Sequence, residues 1–238
     1  MISRVTRTKA QATASYNRLS RWYDWIAGRT ERKYRNLGLQ LLQAQQGESV
    51  LEIGFGTGHC LLALAQAVGP QGKVSGIDIS AGMQEIALRR LQSAGVADRV
   101  DLQVGDAAQL PYQPGSFHAV FMSFTLELFD TPEIPLVLDQ CHKVLRPDGR
   151  IGLVAMVRPE YPGFAVRLYE WCHTCWPAMV DCRPIHAREA LQEAGFTIEI
   201  VKQWMMWGLP VDVIRAQVII PHPLTPSHMR GKGKISEI

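Results

Sequence analysis

A short apolar run, "VLEI" at residues 50–53, breaks into "GFGTG" and then into a helical pattern that begins at His59. A strand that ends in alternating glycines and re-emerges as a helix leaves few folds open. Glycine tolerates positive φ and lets backbone N–H groups reach a ligand with no Cβ in between. A strand–loop–helix unit of this kind opens a parallel α/β sheet, with a ligand at the carboxyl ends of the strands. The spacing narrows the ligand. A dinucleotide fingerprint, G-x-G-x-x-G, would place its third glycine at 59, where this chain has His59, while Gly54, Gly56 and Gly58 sit two apart. That argues for a smaller, less anionic ligand than a pyrophosphate; a purely structural turn is the competing reading.

The rest of the chain alternates in the same way. Strands are expected at 48–53, 73–78, 100–104, 118–124 and 151–157, and helices at 12–28, 30–44, 59–68, 81–94 and 133–145. "RPDG" at 146–149 reads as the turn before the fifth strand. Further helices are expected at 160–178 and 187–194. Two strands meeting at Gly208, Leu209 and Pro210 would add an antiparallel edge hairpin. The expected fold is α/β: a doubly wound, seven-stranded, mostly parallel, Rossmann-like sheet. Residues 1–220 read as a single domain, with 1–44 as an N-terminal helical lid, 158–186 as an insert beside the acceptor site and 221–238 as a mobile tail.

Composition removes several function classes. Hydrophobic residues make up 47% and charged residues 20%, as in an ordinary globule. No apolar run approaches the ~18 residues of a membrane-spanning helix, and the basic N-terminus lacks the apolar core of a secretory signal. Five cysteines without framework spacing suit a reducing, cytoplasmic setting. A net charge of +3 is too small to imply nucleic acid. The charge is uneven, however. Residues 1–36 carry nine Lys/Arg against Asp24 and Glu31, so a basic arm of +7 is joined to a body of −4.

Two acidic residues follow the glycine loop in order. Asp78 closes "VSGIDIS" at the expected end of the second strand, where a carboxylate can accept both hydroxyls of a ribose. Asp106 follows the third strand in "VGDAAQLPY", where it can accept from an adenine amine while the Ala107 N–H faces a ring nitrogen. Either aspartate alone is equally a turn former or a helix cap. Three such features in sequence, each at a strand end, point to an adenosine ligand.

"VLEIGFGTG", "GIDIS", "GDAAQLPY" and "CHKVLRPDGR" together resemble the successive motifs of class I S-adenosylmethionine-dependent methyltransferases, over about residues 45–157. Within that class the chain is similar to the group related to ubiquinone and menaquinone C-methyltransferases. The resemblance implies that S-adenosylmethionine is the cofactor. It implies that Gly54, Thr57 and Gly58 cradle the methionine part, that Gly56 belongs to the same cofactor-binding loop, that Glu52 reaches the methionine amino group through water and that Asp78 holds the ribose. By the same resemblance Asp106 and Ala107 hold the adenine, Ile79 and Met83 are further cofactor-binding residues, and Ser123 lies beside the sulfonium. An N-terminal helix closes over the cofactor in such relatives, which adds Tyr16 and Tyr23 to the set.

The acceptor side is less regular. "FMSFTLELFD" follows the fourth strand; quinone methyltransferases carry a Gly-Leu-Arg-Asn type run there, and its arginine belongs to the substrate site. Glu127 stands in that place, and an anion for a cation argues against a quinone. Glu127 is therefore the candidate catalytic residue, as a general base or as the partner of a cationic acceptor; the alternative is a helix-start residue favoured by the dipole. In "YEWCHTCWPAMVDCRPIHA", Cys172, His173, Cys175, Cys182 and His186 are of metal-ligating type. No second close pair follows the C-x-x-C, so no metal is expected. Leu168, Trp171, Cys172, Cys175 and Trp176 fit one apolar helical stripe instead, walling the acceptor pocket. "DCRPI" resembles a feature of the same methyltransferase group, and Arg183 and His186 are candidates to face the acceptor. The expected activity is methyl transfer to a small molecule. The rivals are a quinone or lipid methyltransferase resting on a membrane through residues 1–36, with Trp22 and Trp25, and a non-catalytic cofactor-binding module. Oligomeric state is open.

Overall fold

The computed structural model describes residues 28–175 and 182–218, together with 10, 11, 13 and 14. Tyr16, Tyr23, most of the expected 12–28 helix, Trp176 and the 221–238 tail lie outside the described residues. The elements alternate as the sequence pattern requires. Helix α1 (Gly28–Leu42) leads into β1 (Ser49–Ile53), α2 (His59–Val68), β2 (Lys73–Asp78), α3 (Ala81–Ser93) and β3 (Val100–Val104). After β4 (Phe117–Ser123) come α4 (Glu133–Val144), β5 (Leu145–Met156), α5 (Phe164–Cys175), α6 (Ala187–Glu193), β6 (Phe196–Met206) and β7 (Leu209–Val218).

The seven strands form one sheet in the order β3-β2-β1-β4-β5-β7-β6. β1 to β5 run parallel, and β7 pairs antiparallel with both β5 and β6. The order reverses between β1 and β4. Successive crossovers leave in opposite directions there and open a crevice at the carboxyl ends of the strands. Leu51, Val120, Leu153 and Ile214 face one layer of apolar packing with α4 and α6; Val50, Phe121, Val154 and Val213 face the other, with α1, α2 and α3.

The 146–149 turn is absorbed into β5 as an irregularity. Pairing jumps from Phe117↔Leu145 to Ala119↔Arg150, so the intervening residues bulge out rather than precede the strand. Residues 28–42, read as part of a lid, pack against the sheet. Leu42 and Tyr34 are buried, and a Cβ on Gly38 would stand 2.5 Å from Val154 Cγ2. Arg150 ties down the end of this helix by donating to the carbonyls of Leu42 at 2.6 Å and Gln43 at 2.8 Å, while pairing with Glu48 at 2.7 Å.

The two ends of the insert lie side by side. The Arg158 N–H donates to the Ile185 carbonyl at 2.9 Å and the Ile185 N–H to the Met156 carbonyl at 3.1 Å. Residues 158–186 therefore leave and rejoin the sheet at one place, at the carboxyl end of β5.

Candidate active site

β1 ends at Ile53, and the chain turns into α2 with φ of +70° at Gly54, +50° at Gly56 and +82° at Gly58. The three glycines have different neighbours. A Cβ on Gly54 would stand 2.3 Å from Thr125 Cγ2, and one on Gly58 would stand 2.8 Å from Ala87 Cβ. A Cβ on Gly56 would meet nothing within 4 Å among the described residues. The outer glycines thus seat the loop against the β4–α4 connection and α3, and the middle one leaves an open cradle. Arg90 of α3 fixes the loop further, donating to the Thr57 carbonyl at 2.6 Å and its hydroxyl at 3.3 Å.

Asp78 closes β2 beside this cradle. Its Oδ2 accepts from the Gly56 N–H and its Oδ1 from the Ser80 N–H, both at 2.9 Å. A carboxylate offers about four acceptor positions, so each oxygen retains capacity for a hydroxyl. Burial pushes the Asp78 carboxyl up, against the opposing pull of the Gly56, Ser80 and Ile79 N–H groups. Ser80 is the N-cap of α3; its hydroxyl accepts from the Met83 N–H at 3.1 Å, which seats the buried Met83 under the site. Ile79 is half-buried between them.

Glu52 lies buried on β1, next to Gly76 of β2. Burial raises its carboxyl well above the ordinary range; Arg35 on α1 pulls the other way, Asp78 pushes it further up, and the Cys60 thiol donates to it. Glu52 Oε2 has no hydrogen-bond partner among the described residues, and neither has the buried Ser123 Oγ at the end of β4. Asp106 is half-buried, with Oδ1 accepting from the Ala108 N–H at 3.0 Å, and Ala107 beside it is buried. Glu52, the glycine loop with Thr57, Asp78, Ile79, Met83, Asp106, Ala107 and Ser123 all come from the carboxyl ends of β1 to β4 or the segments just beyond. Tyr16 and Tyr23 lie outside the described residues.

The acceptor side is less simply placed. Glu127 sits in a short turn of 3₁₀ helix, Leu126–Leu128, and is fully buried, with Oε1 accepting from the Met156 N–H at 3.1 Å. Arg183 is also fully buried and donates to the Phe129 carbonyl at 2.6 Å. Both straps hold the β4–α4 connection to the end of β5 and the returning insert. His186 is half-buried just before α6. Of the expected apolar stripe on α5, Leu168, Trp171 and Cys175 are exposed and Cys172 is half-buried, while Trp176 lies outside the described residues; Val166 and His173 form the buried side. The apolar pattern had the right period but did not say which neighbour the helix would have.

Four residues of the site carried no functional reading in the sequence. Ser80 carries a local signal, an N-cap serine directly before a helical run. Arg35, Arg90 and Thr125 carry none, because α1, α3 and the β4–α4 connection reach the loop only through the fold.

A family model described as a methyltransferase domain matches residues 50–149, which span the β1 loop through the bulge of β5. A demethylmenaquinone methyltransferase of Geobacillus stearothermophilus is 32% identical over 166 residues, covering 70% of this chain and 68% of the relative. The chain belongs to the class I S-adenosylmethionine-dependent methyltransferases. The namesake enzyme of Lactobacillus johnsonii is also 32% identical, over 133 residues, and this chain spans only 54% of that relative's length. Among solved structures, the cyclase SpnF matches with a TM-score of 0.72 at 17% identity, over 89% of this chain and 97% of its own. A geranyl diphosphate methyltransferase in complex with GPP and sinefungin matches at 0.66 and 18%, over 80% of this chain and 78% of its own. At such identities these two establish the methyltransferase fold alone, and a cyclase among them illustrates how one fold carries different chemistry.

Proposed function

We propose that the protein binds S-adenosylmethionine in the crevice between the β1 loop and the ends of β2 to β4 and transfers its methyl group to a small-molecule acceptor. The observation that carries this reading is an open cradle at Gly56 with unmet buried polar atoms, Glu52 Oε2 and Ser123 Oγ, at the ends of the neighbouring strands. Such atoms are costly unless a ligand meets them. When bound, the cofactor supplies a methyl group activated on a sulfonium. The remaining capacity of the Asp78 oxygens suits the ribose hydroxyls, and Asp106 with the Ala107 N–H suits the adenine edge. Glu52 faces the methionine ammonium, a charge that would offset the cost of burying the carboxylate. Tyr16 and Tyr23, expected from the sequence to join this set, lie outside the described residues. Because the transfer is an in-line displacement, the chain's task is to align the acceptor with the methyl group and to exclude water.

Calorimetry with S-adenosylmethionine and its demethylated product tests the cofactor, and both should bind. Tighter binding of a nicotinamide dinucleotide would overturn the reading. Release of the demethylated cofactor across an acceptor panel, headed by a demethylmenaquinone with a short side chain, tests the transfer. An intact cofactor site with no turnover on any amine, thiol, phenol or quinol would favour the binding-module alternative.

A further inference from the structure

The apolar face of α5 and the tip of the β6–β7 hairpin meet at one corner of the molecule. Phe164, Leu168 and Trp171 follow one another at helical spacing on the outer side of α5 and are 82%, 45% and 55% exposed. Beside them the hairpin presents Met205 and Trp207, 60% and 67% exposed. The two elements touch: a Cβ on Gly208 would stand 3.1 Å from Ala165 Cβ. Trp207 and Gly208 both have positive φ, of +53° and +80°. A two-residue turn of that kind favours Asn-Gly, and a bulky side chain there is strained. Trp207 thus stands largely outside the core in an unfavourable backbone conformation. Strain of this sort accompanies function.

The charge around this corner is mostly positive. Arg32, Lys33, Arg167 and Lys202 are exposed, and Lys33 Nζ lies 4.4 Å above the Trp204 ring. Glu160 is the exposed acidic residue just before α5, while Glu170 is paired with Arg158 at 2.6 Å. Large aromatic side chains ringed by Lys and Arg suit the headgroup region of an anionic bilayer. A symmetric dimer through the same face would bring like charges together. The hairpin tip lies beside Met156, at the carboxyl end of the sheet where the glycine loop also lies.

We propose that the corner formed by Phe164, Leu168, Trp171, Met205 and Trp207 docks on the surface of an anionic lipid bilayer. No described helix is long and apolar enough to cross a membrane, so the contact is peripheral. It turns the crevice end of the sheet toward the lipid, where a poorly water-soluble acceptor would be collected. The docking does not depend on the proposed methyl transfer.

The full chain should co-sediment with phosphatidylglycerol vesicles and much less with phosphatidylcholine vesicles, with a blue shift of tryptophan emission and weakening at high salt. Trp207→Asn suits the turn and should leave the thermal midpoint equal or higher. Combined with Trp171→Ser, it should lower the partition coefficient about ten-fold or more, with cofactor affinity unchanged. Undiminished binding by the double variant would assign the contact to the basic residues alone and overturn the proposal. Failure of the unaltered chain to bind anionic vesicles would also overturn it. So would a concentration-dependent dimer that the double variant abolishes.

Discussion

The glycine loop and the α5–hairpin corner lie at the same end of the sheet and are built in opposite ways. In the loop, backbone conformation and close approach dictate residue type: Gly54 has Thr125 where its Cβ would be, and Asp78 is held by the backbone N–H groups of Gly56 and Ser80, with that of Ile79 beside them. At the corner, large side chains stand outward on a helix and a strained turn, and nothing in their spacing separates a buried stripe from an exposed one. Chemistry that depends on backbone is written locally, whereas a face is defined by what the rest of the fold leaves uncovered.

The first two glycines of the triplet test this contrast most severely. Gly54→Ala combines positive φ with a contact of 2.3 Å and should cost about 2–4 kcal/mol of stability in urea unfolding. The added methyl of Gly56→Ala meets nothing within 4 Å among the described residues. It should cost only about 1 kcal/mol of stability, yet weaken cofactor binding ten-fold or more by filling the cradle. Equal effects of the two in both assays would remove the distinction between seating and cradling glycines.

Asp78→Ala should lose about 1.5–3 kcal/mol of cofactor affinity in calorimetry, the usual worth of hydrogen bonds to a charged group. An affinity within two-fold of the unaltered protein would mean that Asp78 serves only to order the loop through Gly56 and Ser80.

Stability against pH sharpens the role of Glu52. Its folded carboxyl stands well above the ordinary value of 4.5, so within that window the folded state holds more protons than the unfolded one. Cofactor-free protein should therefore lose stability as pH rises above about 4.5, and Glu52→Gln should remove much of that loss. Thermal midpoints measured from pH 4 upward would show it; identical slopes for the two proteins would mean that Arg35 already neutralises the carboxylate.

The smallest effect is expected at Glu127. A glutamine side chain at this position keeps the bond to the Met156 N–H through its carbonyl oxygen, so Glu127→Gln should leave turnover within about three-fold. A fall of about 10²-fold with unchanged cofactor affinity would instead establish a general base and move Glu127 from the strap to the chemistry.

Most of the cofactor half was legible because its signals are local. Positive φ at Gly54, Gly56 and Gly58 and an acidic residue closing β2 lie within a few residues of the elements they serve. The alternation of periods also yielded the seven-stranded sheet and its antiparallel edge, because each strand's burial is written in its own residues. The acceptor half was not legible in this way. In the sequence Glu127 reads as a general base or partner of a cationic acceptor, with a helix start as the alternative, and Arg183 reads as a pocket residue; both are fully buried where the β4–α4 connection meets β5 and the returning insert.

By itself the sequence determined the order of elements, the glycine loop and the acidic residues at the ends of β2 and β3, since backbone conformation and strand ends depend on near neighbours. Only the tertiary structure decided that α1 covers the sheet, that Arg90 and Thr125 hold the loop, and that the apolar stripe of α5 faces outward. Those outcomes turn on which distant surfaces meet. A helix of period 3.6 specifies that it has an apolar face, but the partner that covers the face, or leaves it bare, is chosen by contacts far away in the chain.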